Sequence, residues 1–306
     1  GNDPGYPVFQ GDRLTDAIMV NAAERTLVKG DAACAMVLTG SDKIRSGYGN
    51  GDCLLLDFRN RVFALSDGAE RYARASRLLL ERLSAAVNER GAPDGADEWR
   101  ALANGVYAAQ RYQHKATFSC AALSGPAGER KLTVIHGGDS MVFVIDRHTG
   151  EIVFRTAVNM DFAGRSTTVA AVTAVKLGKR ECRIILCSDG LIDVARFAGR
   201  ELADLLTITA LGESIGRIPG RVKAIMHEAL EKEERKEYDD ISFIVLEPAL
   251  LYDPGDFRII MGGTTPGEED EYQKRVLPER VFNRWLGVDE MNAQSSLINS
   301  CGIRIL

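Results

Sequence analysis

The chain has 306 residues, 45% hydrophobic and 26% charged, the composition of a globular protein large enough to bury a core without disulfide or metal staples. Its net charge of −5 argues against a nucleic-acid-coating or polybasic membrane-surface role, and no run approaches the roughly 18 apolar residues of a membrane span. Residues 1–10 show neither the basic nor the apolar stretch of a signal peptide, and no two of the six cysteines form a C-x-x-C pair. A cytoplasmic chain with reduced, buried thiols is the expectation.

In chain order, Ala33–Thr39, Cys53–Phe58 and Val62–Ser66 read as strands, being short Val-, Leu- and Phe-containing runs separated by Gly, Asn and Asp. Residues 71–90 switch to helical spacing, with Ala75, Leu79, Leu83 and Ala86 on one face, and 98–113 continue it. Strands return at 117–123, 131–136, 141–146, 151–156, 170–177 and 183–187, followed by helical stretches at 191–197, 201–207 and 221–236 and a closing strand at 241–246. Strands and helices come in groups and do not alternate singly. This predicts an α+β protein, a sandwich, over a doubly wound parallel sheet. The texture changes at Pro248, dividing the chain into a domain of residues 1–250 and an extension of 251–306. Within the extension, 257–261 reads as one further strand, and 278–286 places Val281, Phe282, Trp285 and Leu286 on one helical face. The extension is expected to pack on the domain away from its functional end.

Aspartates recur at strand ends. Asp67 follows Val-Phe-Ala-Leu-Ser and precedes Gly68; Asp189 follows Ile-Ile-Leu-Cys-Ser and precedes Gly190; Asp139 lies in Gly137-Gly138-Asp139-Ser140; Asp239 and Asp240 precede Ile-Ser-Phe-Ile-Val-Leu. A short side chain on a fixed strand end aims its carboxylate at one point. Several such groups at one end of a sheet repel unless hard divalent cations such as Mg²⁺ or Mn²⁺ neutralise them. Taken singly, each Asp-Gly is also an ordinary turn signal.

Together, in order and with their flanks, these segments resemble the motifs of the type 2C metal-dependent serine/threonine protein phosphatases, over about residues 33–247. Cys-Ser-Asp189-Gly190-Leu-Ile-Asp193-Val is the most specific. Asn50-Gly51-Asp52 resembles the family's Asn-Glu-Asp element with Gly for Glu, and Ala116-Thr117 its Gly-Thr element. The resemblance implies a four-layer α-β-β-α sandwich with two central antiparallel sheets and a two-metal site at one end. It further implies that Asp67 bridges both ions, the Gly68 carbonyl binds one, Asp189 and Asp239 hold the other, and Asp139 with Asp189 holds a weaker third. Asp52 would orient water, and a phosphorylated protein would be the substrate. Of the adjacent pair, Asp239 is expected to be the ligand and Asp240 to tolerate Asn. Arg45 reads either as a phosphate fork or as a solvated surface arginine. The segment between Asp139 and Asp189 is short, so the flap subdomain of many members is expected to be reduced or missing.

The departures at Gly51 and in Asp67-Gly68-Ala69-Glu70-Arg71 leave a pseudophosphatase, a binding module of the same fold, as the alternative. A nucleotide-binding role for the Gly47–Gly51 loop lacks both the P-loop pattern and the dinucleotide-binding spacing.

Overall fold

A computed structural model of the protein describes residues 9–10, 13–14, 18–20, 24–40, 50–69, 74–111, 114–169, 171–207, 214–232, 238–251, 257–263 and 303–305. In order the strands are β1 (Phe9–Gln10), β2 (Arg13–Leu14), β3 (Ile18–Val20), β4 (Glu24–Lys29), β5 (Ala33–Leu38), β6 (Asp52–Asp57) and β7 (Val62–Asp67). Helices α1 (Arg74–Arg90) and α2 (Ala96–Gln110) follow, then β8 (Phe118–Ser124), β9 (Lys131–Gly137), β10 (Met141–Asp146), β11 (Ile152–Arg155), β12 (Ala171–Lys176) and β13 (Cys182–Cys187). The chain continues through α3 (Gly190–Phe197), α4 (Leu202–Thr207), α5 (Ile218–Glu231), β14 (Ile241–Leu246), β15 (Arg258–Gly262) and β16 (Ile303–Ile305).

The strands form two seven-stranded sheets, ordered β11-β10-β13-β14-β5-β4-β16 and β12-β9-β8-β7-β6-β15-β3. Every pair is antiparallel except β15 with β3, which is parallel. The α+β sandwich expected from the sequence is therefore the observed fold. Strand β5 shows why it is layered. Ala33, Ala35 and Val37 face the second sheet, while Cys34, Met36 and Leu38 face a helical layer that includes Leu191, Val194, Leu205 and Val222. On the other side, Cys53, Leu55 and Ala64 pack beneath Leu79, Leu83, Trp99 and Val106 of α1 and α2. Strands buried on both faces have no polar face to show, so they read as continuous apolar runs.

Two readings shift. Helix α5 begins at Ile218, ahead of the predicted 221, because Pro219 at its first turn has no N–H to strand. Residues 258–262, placed in the extension, form β15, inserted between β6 and β3, with Ile259, Met261 and the preceding Phe257 in the central core. Its last residues run to the same end as Asp52, whose carbonyl accepts a 2.7 Å hydrogen bond from the Gly263 N–H. For residues 257–263 the expected packing away from the functional end does not hold. Residues 278–286 lie outside the described residues. Cys34, Cys53, Cys120, Cys182 and Cys187 are all buried free thiols, and burial raises the pKa of each. No helix among the described residues is long and apolar enough to cross a membrane.

Candidate metal centre

Antiparallel pairing brings the aspartates to one end of the sandwich. Asp52 opens β6 opposite Asp67, which closes β7. Asp139 sits in the turn from β9 to β10, Asp189 follows β13, and Asp239 and Asp240 precede β14. Because strands that end here are followed or flanked by strands that begin here, residues far apart in sequence share one rim.

Burial separates the six carboxylates into two sets. Asp67, Asp139, Asp189 and Asp239 are half-buried, whereas Asp52 and Asp240 are buried. The buried pair is held by directed hydrogen bonds. Asp240 Oδ1 accepts from the Gly40 N–H at 2.7 Å and its Oδ2 from the Gly51 N–H at 2.8 Å. Asp52 Oδ2 accepts from Ser242 Oγ at 2.8 Å, and the Asp52 N–H donates to Asn50 Oδ1 at 2.8 Å. Thr117 secures the Asp67 side of the rim: its hydroxyl accepts from the Asp67 N–H at 2.8 Å and shares a 2.6 Å hydrogen bond with Ser140 Oγ. The Thr117 N–H donates back to the Asp67 carbonyl at 2.9 Å.

Gly51 is required where it stands. Its carbonyl accepts from the Gly68 N–H at 2.8 Å, and a Cβ there would lie 2.9 Å from the Gly68 carbonyl oxygen, 3.3 Å from Asp240 Oδ2 and 3.6 Å from Asp67 Oδ1. Three oxygens thus surround the space that a side chain at position 51 would fill. Gly190 is equally constrained, since its Cβ would meet the Asp240 carbonyl at 2.0 Å.

The electrostatics follow from this crowding. Burial first, then the charges of Asp52, Asp189, Asp239 and Asp240, hold the Asp67 carboxyl well above the usual range. Burial and Asp240 push Asp52 up to about 8, against the opposing hydrogen bond from Ser242. Burial, Asp239 and Asp139 push Asp189 up to about 6. The charged neighbours that dominate these sites are other acids.

The SpoIIE family model, described as stage II sporulation protein E, matches residues 65–248, a span that runs from the end of β7 through β14. The chain belongs to the SpoIIE family, which is type 2C phosphatase-like. Solved structures agree on the fold. A point variant of a bacterial serine phosphatase matches with a TM-score of 0.53 at 18% identity, over 70% of this chain and 97% of that one. The catalytic domain of the serine/threonine protein phosphatase PstP, in complex with two manganese ions, matches with a TM-score of 0.50 at 17% identity, over 73% and 98%. The SiaA-PP2C domain of Pseudomonas aeruginosa matches with a TM-score of 0.51 at 15% identity, over 72% and 87%. Among curated proteins no sequence match was found.

In this SpoIIE-family chain the donor set suits hard cations. Asp52 Oδ1 and Asp189 Oδ1 are buried without a hydrogen-bond partner among the described residues, and an uncompensated buried carboxylate oxygen is costly unless a cation or donor meets it. The remaining candidate donors are carboxylate or carbonyl oxygens, the type Mg²⁺ and Mn²⁺ prefer. Among the described residues, no three His, Cys, Asp or Glu side chains stand in a finished ligand arrangement.

Asp52, Asp67, Gly68, Asp139, Asp189 and Asp239 thus all lie at this end of the fold, while Arg45 falls outside the described residues. Sequence reasoning missed what Asp240 does. Its two short hydrogen bonds from backbone N–H groups contradict the expectation that Asn would be tolerated, because an amide NH₂ would face one of those donors. It also missed Ser242 as the partner of Asp52; the Asp-Asp-Ile-Ser run, which puts Ser242 at the second position of β14 just after Asp240, was the available signal.

Proposed function

We propose that the protein is a Mg²⁺- or Mn²⁺-dependent phosphatase that removes phosphate from phosphoserine or phosphothreonine in proteins. The observation that carries this reading is one rim bearing four half-buried carboxylates, backed by two buried ones whose positions are set by hydrogen bonds. Asp67, the Gly68 carbonyl, Asp189 and Asp239 would hold two cations, and Asp139 with Asp189 a third. When bound, the cations acidify the attacking water and neutralise the phosphate oxygens. The chain's own residues do the positioning. Ser242 fixes one oxygen of Asp52 and leaves Oδ1 to accept a proton or orient a water. Asp240 fixes the Gly51 turn, and Thr117 fixes the Asp67 backbone. Arg45 is assigned as a phosphate contact. Retention of every ligand carboxylate favours catalysis over a binding-module role.

The test is hydrolysis of an aryl phosphate and of a phosphothreonine peptide with and without Mn²⁺. Turnover that needs Mn²⁺ and falls by more than about 100-fold in Asp67→Asn and Asp239→Asn supports the assignment. Variants with near-wild-type turnover overturn it.

A further inference from the structure

We propose that residues 157–163, together with Lys115, form a ledge that seats the polypeptide flanking the phosphoester and selects substrates with a large apolar side chain beside the phosphorylated residue. This rests on the phosphatase reading above and extends it to substrate choice.

The ledge is apolar, exposed and held. Val158 is 67% exposed and Met160 is 73% exposed, the two highest values among the large hydrophobic residues described. Two large apolar side chains exposed on one short segment offer an apolar contact to a bound polypeptide. The segment between them is fastened to the turn carrying Asp139. The Asn159 N–H donates to the Gly138 carbonyl at 3.1 Å, and Asn159 Oδ1 accepts from the Gly138 N–H at 2.9 Å and the Asp161 N–H at 3.0 Å. Tyr107 Oη donates to the Asp161 carbonyl at 2.9 Å. Gly137 makes the contact possible, because a Cβ there would lie 2.1 Å from Tyr107 Oη and 2.4 Å from the Asp161 carbonyl oxygen. At its far end the segment joins the Asp67 side of the rim through backbone bridges from Gly68 to Ala116 and from Ala116 to Ala163. The ledge therefore spans two turns that carry candidate ligands.

Its charged component matches the substrate. The Lys115 carbonyl accepts from the Ala69 N–H at 3.1 Å, and Lys115 Nζ stands 4.9 Å from the centroid of the Phe162 ring. Phe162 itself lies against Gly138, with ring carbons 3.1 Å from where a Cβ would be. Attraction to the aromatic face holds the ammonium in place. At a rim dominated by carboxylates, it supplies a positive charge for an incoming phosphoester, while Val158 and Met160 take the neighbouring apolar residue.

The experiment uses the full chain with Mn²⁺ and two phosphothreonine peptides that differ only in Leu or Glu beside the phosphothreonine, with an aryl phosphate as a third substrate. Wild type is expected to prefer the Leu peptide in kcat/KM by about 10-fold, the scale of one apolar contact. In Val158→Ser/Met160→Ser that ratio falls to within about 2-fold, the loss lying in KM. Leu250→Ser, an exposed apolar residue outside the ledge, keeps the ratio. Lys115→Met raises KM for all three substrates. Equal use of the two peptides by wild type, a ratio unchanged in the double variant, or an unchanged KM in Lys115→Met overturns the ledge while aryl phosphate turnover leaves the phosphatase reading standing. No metal-dependent turnover of any substrate overturns both.

Discussion

The two ends of the sandwich treat buried acids in opposite ways. At the end where β13 begins and β14 closes, Glu247 is buried but paired, with Arg183 Nε at 3.2 Å and Arg147 at 3.1 Å. Burial raises its pKa and both arginines oppose the rise. Nearby, Asp146 accepts from the His148 and Thr149 N–H groups, which lower its pKa. At the other end Asp52, Asp67 and Asp189 are raised by burial and by neighbouring acids, Asp239 among them for all three. The fold compensates its acids at one end and accumulates them at the other; on the function proposed above, the second end would hold cations while the first serves stability.

Substitutions at the two ends should have opposite outcomes. Glu247→Gln removes the buried carboxylate that pairs with Arg183 and Arg147, so it should cost about 3 kcal/mol in denaturant unfolding while folded protein keeps its turnover. A loss of turnover without a loss of stability would deny the division. Conversely, Asp67→Asn should lower turnover by more than about 100-fold and raise the melting temperature of cation-free protein, because one charge leaves a repelling group. A lowered melting temperature would show that the rim acids are structural.

Asp240→Asn tests the boundary between the two behaviours. It sits among the rim acids but bonds like a scaffold residue, so it should lose about 1–3 kcal/mol and lower kcat through the displaced Gly51 turn. Unchanged stability would make Asp240 one more ligand. The same contrast sets the pH dependence of cation-free protein. Asp52 and Asp189 have folded pKa values of about 8 and about 6, above the unfolded value. Over roughly pH 4 to 8 the folded state therefore binds more protons than the unfolded chain, and stability falls as pH rises. Thermal melts at pH 5 and pH 8 should show the higher midpoint at pH 5, and Mn²⁺ should narrow the gap at pH 8.

Much of this contrast was legible in the sequence because strands buried on both faces appear as apolar runs and their ends as Asp-Gly or Asp-Asp. What was not legible has physical causes. β4, Glu-Arg-Thr-Leu-Val-Lys, carries charge at both ends and shows no apolar run. β15 follows a Pro- and Gly-marked break, so its insertion beside β6 depends on tertiary pairing. Asp239 and Asp240 are neighbours of identical chemistry; only the N–H groups of Gly40 and Gly51, about 200 and 189 residues away, distinguish them. The exposure of Val158 and Met160 is likewise invisible in a sequence where isolated apolar residues are common.

On the function proposed above, the acidic end binds divalent cations. Calorimetric titration of Mn²⁺ into wild-type and Asp67→Asn protein at pH 8, each followed by a thermal melt, tests it most directly. Wild type should bind at least two ions with a rise in melting temperature, and Asp67→Asn should lose both. Wild-type protein that binds no Mn²⁺, or an Asp67→Asn variant that binds and is stabilised equally, would contradict it.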